Sequence, residues 1–182
     1  MRPLLALSRV IDGINAIFGK AAEWMVFAAC AISAGNAVSR YALSWSSNAW
    51  LEVQWYLFAG VVMLGASYTL RRNGHVRVDL IYGNLSERKQ LWVDVLGIIF
   101  FLFPAMILLV WMTWPFFMDS FMRNEGSQNA GGLIRWPAKL VLPLGFFLLT
   151  LQGFSELIKR IALLRGIRPE GEVVLTYEKP VQ

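Results

Sequence analysis

Few side chains in this sequence are equipped for chemistry, and most of those are charges set in or beside apolar runs. Glu52 heads an apolar run interrupted only by Gln54, close behind Trp50. Glu23 and Arg40 flank an earlier apolar run, and Arg71 and Arg72 end the second one, just ahead of His75, Arg77 and Asp79. His75 is the only histidine and Cys30 the only cysteine. A membrane haem takes axial ligands, often two histidines, which one histidine in a basic loop does not supply. Quinone-linked disulfide exchange needs paired thiols. Cys30, inside an apolar run, reads instead as a buried, inert thiol. No Gly-rich phosphate loop, nucleophile elbow or zinc motif occurs. The expectation is a chain that is not an enzyme and holds no cofactor of its own.

What remains is the intramembrane charge, which is costly and therefore paired or functional. Folding the first two apolar runs about Ser46 brings Arg40 and Glu52 to equal depth and sets Glu23 level with Arg71 or Arg72. One reading makes these structural ion pairs that fix helix register. The other makes Glu52 the site of a transported cation. Asp94, Gln152 and Glu156 gather toward one end of the last two runs and read as a solvated interfacial ring.

The elements that would position these groups are helices. The 182 residues are 57% hydrophobic and only 16% charged, with eight Trp and twelve Phe, a balance that points to an all-α integral membrane protein. From Val53 to Leu70 there are 18 residues, close to the roughly 20 that a helix needs to cross a bilayer. Spans are expected at about 24–42, 53–70, 91–118 and 138–157, with Pro104 and Pro115 bending the third. Residues 1–20 read as an amphipathic helix on the inner headgroups, with Ser8, Arg9, Asp12 and Asn15 on its polar face. A cleaved signal peptide ending at Ala29-Cys30-Ala31 is the rival reading, disfavoured by its long polar lead. Residues 21–165 would then form the transmembrane domain and 166–182 a mobile tail. Small residues at Ala31, Gly35 and Ser39, and Gly60 and Gly65 in the second span, suit close helix packing. Ser86 is placed to cap the third helix, and Pro137 suits the first turn of the fourth. Thirteen of the 17 Lys and Arg fall in the segments 1–20, 71–90 and 159–182. That asymmetry predicts both termini in the cytoplasm.

Four blocks, NAVSRYAL, the W-x-E of Trp50 and Glu52, LGASYTLRRNGHVRVDL and WPAKLVLPLGFFLLTLQGF, together resemble the small membrane subunit of TRAP transporters, the DctQ-like family. The likeness covers about residues 10 to 165. It implies a multi-pass subunit of a three-part importer in the bacterial inner membrane. A periplasmic binding protein would capture an organic acid (a dicarboxylate, keto acid or sugar acid), and a large multi-span subunit would move it on a sodium gradient. The sodium sites would then lie in the large partner, and this chain would be its scaffold. The residues themselves leave two other classes open: a self-contained four-span exporter of cationic compounds using Glu23 or Glu52, and a membrane anchor for a redox enzyme.

Overall fold

The structure is a computed structural model that describes residues 1–75 and 82–167. Arg77, Asp79 and nearly all of the expected tail lie outside the described residues. Four helices carry the fold: α1 (Arg2–Leu43), α2 (Asn48–Arg71), α3 (Glu87–Met122) and α4 (Trp136–Leu164), each long and apolar enough to cross a membrane. The four expected spans lie inside them.

Local chemistry accounts for the boundaries. Ser44 ends α1 in the left-handed conformation (φ 51°), and the Ser47 side chain accepts a bond from Ala49 N–H at 3.3 Å to start α2. Asn73, also left-handed, turns the chain out of α2. Ser86 occupies the position before α3, but its side chain makes no capping bond; its carbonyl accepts Lys89 and Gln90 N–H instead. Pro137 lies in the first turn of α4. The expected bend at Pro104 takes a specific form. Pro104 has no N–H to give to the preceding turn, and Ile98–Leu102 winds as a π-helix just before it, with Phe103 N–H bonded to Ile98 O.

Residues 1–20 differ from expectation. They are not a separate interfacial element but the first half of one 42-residue helix, about 63 Å long. Their polar face is also turned the other way. Ser8 and Asn15 are buried together with the apolar Ile11, whereas Leu7, Val10 and Ile17 are exposed, as is Arg9 of the polar face. A polar stripe faces water when a helix lies on a membrane. Inside a helix bundle the same stripe is best hidden against the polar groups of a neighbouring helix.

α1 and α2 form an antiparallel hairpin, and α4 packs against α1, α2 and α3, so α4 is the central column. The apolar core is Ala22, Leu64 and Leu148, flanked by Phe18, Met25, Val141 and Leu144. Two glycines permit the close approach. A Cβ on Gly145 would meet Met63 O at 2.7 Å, and one on Gly153 would meet the Leu102 side chain at 2.8 Å. Large apolar side chains such as Phe101, Trp111 and Met122 point outward, the arrangement that a lipid surround stabilises.

Candidate functional site

Polar groups are concentrated at the two ends of the bundle. At the Arg71 end, two polar stripes spaced for one helix face meet: Ser8, Asp12 and Asn15 on α1, and Gln152, Ser155, Glu156 and Lys159 on α4. Asn15 Nδ2 donates to Gln152 Oε1 at 2.8 Å, and Gln152 Nε2 donates to Asp12 Oδ1 at 2.9 Å. Ser155 Oγ donates to Asp12 Oδ1 at 2.6 Å and lies 2.7 Å from Ser8 Oγ. Lys159 Nζ is 2.8 Å from Asp12 Oδ2 and 2.7 Å from Glu156 Oε1. Arg160 donates to Asp94 Oδ2 of α3 at 2.8 Å and pairs with Glu156 through its other nitrogen. Arg71 of α2 donates to the Asp12 carbonyl at 3.1 Å and stands 4.0 Å from its carboxylate.

Among the described residues, three acids and three bases meet in one cluster that touches all four helices. Asn15, Gln152 and Ser155 have no exposed surface, and Glu156, Lys159 and Arg160 are 4–5% exposed. The expectation of a solvated ring at Asp94, Gln152 and Glu156 is therefore corrected. Residues 8–15 of α1 run on past the end of α2 and close over them.

At the other end, Glu52 organises a loop. Residues 125–127 run antiparallel to 133–135, joined by a bridge between Gly126 and Ile134 and by bonds from Ser127 N–H to Leu133 O (2.9 Å) and Arg135 N–H to Glu125 O (2.8 Å). The Glu52 carboxylate points from α2 into this hairpin. It accepts from Leu133 N–H at 2.6 Å, from Asn129 Nδ2 at 2.9 Å and from the Ser127 hydroxyl. Asn48 Nδ2 adds a bond to Ala130 O at 2.9 Å. A carboxylate takes up otherwise unpaired loop donors efficiently because charge-assisted bonds are the strong ones. Beneath the hairpin, Glu125 pairs with Lys139 and lies 3.6 Å from Arg135. The hydrogen bond from Lys139 holds the Glu125 carboxyl below its ordinary pKa. A cleft of about 230 Å³ opens beside Glu52, between Trp55, Tyr56, Arg135 and Lys139.

The predicted residues are distributed as follows. Glu52 is buried, but its partners are in the hairpin; Arg40 is exposed and does not pair with it. Equal depth on a helical hairpin does not put two side chains on facing sides. Glu23 is exposed, and its expected place beside Arg71 is taken by Asp12. Arg72 lies over the Tyr68 ring, 5.5 Å from its centroid. His75 and Trp50 are exposed. Gly60 lies against Met25 and Gly65 against Ala22, whereas Ala31 and Gly35 are exposed and Ser39 is half-buried, donating to Trp45 O at 3.3 Å. Cys30 is exposed rather than buried: Ala29 is the residue that turns inward there. Sequence reasoning missed Asp12, Lys159 and Arg160 as partners. The signal was present in the matching polar stripes of α1 and α4.

Residues 29–163 match the family described as tripartite ATP-independent periplasmic transporters, DctQ component. A curated relative from Pseudomonas aeruginosa, the C4-dicarboxylate TRAP transporter small permease protein DctQ, is 29% identical over 107 residues, 58% of this chain and 50% of the relative. The chain spans about half the length of that relative in the match. No solved structure matches.

Proposed function

This chain belongs to the DctQ component family of tripartite ATP-independent periplasmic transporters, a family of transporter subunits and not of enzymes, and from that premise we propose that it is the small scaffold subunit of a sodium-gradient-driven organic acid importer. Its partners are a large multi-span membrane subunit, which moves the substrate and binds the sodium ions, and a periplasmic binding protein. The chain resides in the inner membrane with both termini in the cytoplasm, as the excess of Lys and Arg at the Arg71 end supports.

The observation that carries this reading is the separation of the two polar ends. Between Glu52 and the Asp12 cluster lies the core of Ala22, Leu64 and Leu148, and Trp136 to Gln152 of α4 covers about 24 Å. The buried charges at both ends are bonded within the chain. A body of this kind is suited to bear against a moving domain and not to pass an ion or a polar solute. It also weighs against a self-contained exporter, because Glu23 faces outward and Glu52 is taken up by loop donors. The loops at 44–50 and 119–136 face the periplasm in this orientation and are available to the binding protein.

A mild-detergent pull-down of the tagged chain from its native membrane, with mass spectrometry of what accompanies it, tests the proposal. One large multi-span protein at equal stoichiometry is the expected result. Recovery of the chain alone, or as a homodimer, overturns it.

A further inference from the structure

One long face of α1 has no partner among the described residues. Leu7, Val10, Ile14, Ile17, Ala21, Trp24, Ala28, Ala31, Gly35 and Val38 follow one another at alternating steps of three and four. Leu7, Val10, Ile14, Ile17, Trp24 and Val38 are 39–71% exposed, and Ala31 and Gly35 are also exposed. A repeat of 3.5 residues held over four heptads is the pattern of a helix wound left-handedly about another helix.

Lipid cannot cover all of it. Leu7 to Val38 extends about 47 Å along the helix axis, against a hydrocarbon core of about 30 Å. Gly19 lies against Tyr68, so α1 before about residue 16 runs past Arg71 at the end of α2. Leu7, Val10 and Ile14 therefore stand at the level of the Asp12–Lys159 ion cluster, beyond the apolar core, and remain exposed there. Along one edge of this inner stretch lie Arg2, Arg9 and Lys20, followed by the exposed Glu23 one turn further on.

We infer that this heptad face of α1 is the seat of one helix of the large membrane subunit. That helix carries a matching apolar seam, acidic residues along its cytoplasmic edge opposite Arg2 and Lys20, and a basic residue level with Glu23. A second copy of this chain fits less well. Copies insert in the same direction, so α1 would pair in parallel. Each basic edge would then face the Leu4, Ile11 and Phe18 side of its partner, which carries no acid to meet it. The inference rests on the scaffold reading above, and its test separates the two.

The test places a photo-activated cross-linking residue at Val10, Ile17 or Val38, and at Val26 as an exposed position off the face, in the full chain in its native membrane. Adducts are mapped by mass spectrometry. The expected result is that the three face positions label one helix of the large subunit, with the Val10 and Ile17 adducts about seven residues apart, and that Val26 does not label it. Lys20→Glu should reduce recovery of the large subunit several-fold, with recovery restored when an acid on the labelled helix is changed to lysine. Adducts only to lipid, or to a second copy of this chain, overturn the inference. If the large subunit is recovered but labelled from Val26 and not from the face, the scaffold reading stands and this inference fails. If no large subunit is recovered at all, both fail.

Discussion

Asp12 of α1 and Lys159 of α4 form a 2.8 Å ion pair inside the bundle, although they lie near opposite ends of the chain. Asp12 also accepts bonds from Gln152 and Ser155, and Lys159 also holds Glu156. Such a cluster contributes little net stability compared with apolar packing, because desolvating each ion is costly. Its effect here is positional: the bonds from Ser8, Asp12 and Asn15 to Gln152, Ser155 and Lys159 fix the alignment of α1 against α4. We expect Lys159→Met to leave Asp12 with only the more distant Arg71 as counter-charge and Glu156 with only Arg160, and to cost about 3–5 kcal/mol. Thermal unfolding of the detergent-solubilised protein checks this, and adding Asp12→Asn should recover part of the loss. Equal stability of the single variant and the parent would count against a buried pair.

Glu52 gathers three donors from a hairpin more than seventy residues away. Glu52→Gln keeps one acceptor but turns a donor toward Leu133 N–H or Ser127. The expected outcome is faster amide exchange over residues 126–134 with unchanged exchange in α2 and α4. Uniform loosening of the whole bundle would show that Glu52 does more than hold the loop.

The pairing of Lys139 with Glu125 gives the same hairpin a pH dependence. The Glu125 carboxyl is held below its ordinary 4.5, so its contribution is present above that value and fades as pH falls through the lowered one. Protection of the loop amides, taken relative to their intrinsic exchange rate at each pH, should fall on acidification below about pH 4.5 in the parent and vary less in Glu125→Gln. An identical pH profile in the two proteins would be contrary to this account.

Gly145 lets α4 lie directly against the Met63 backbone of α2. Gly145→Val would drive its side chain against the Met63 backbone, an overpacking that costs about 1–3 kcal/mol. Gly35→Ala, inside α1 with nothing within 4 Å of the added Cβ, should not destabilise the isolated chain and should raise its stability by up to about 1 kcal/mol. Unfolding midpoints of the two variants, measured side by side, decide it.

The four spans were legible in the sequence because apolar runs of bilayer length ended in Arg71, in the SWSSNAW turn and in proline-marked helix starts. Facing was much less so. Arg40 and Glu52 were expected to meet because they lie at equal depth, yet depth says nothing about azimuth, and the true partners come from backbone geometry around Asn129 and Leu133. The amphipathic character of residues 1–20 was visible, but the sign of its burial depends on the surrounding solvent. Ser8, Asp12 and Asn15 face inward because α4 offers Gln152, Ser155 and Lys159 on the matching stripe. Reading those two stripes together would have found the cluster.

The central claim is that this chain supports transport without conducting. Its most direct test is sodium-driven organic acid uptake into proteoliposomes holding this chain and its large subunit, with the binding protein added outside. The account predicts uptake only when all three are present and no flux of solute or cation through this chain alone. Sodium- or proton-coupled flux through vesicles containing only this chain, abolished by Glu52→Gln or Glu23→Gln, would contradict it.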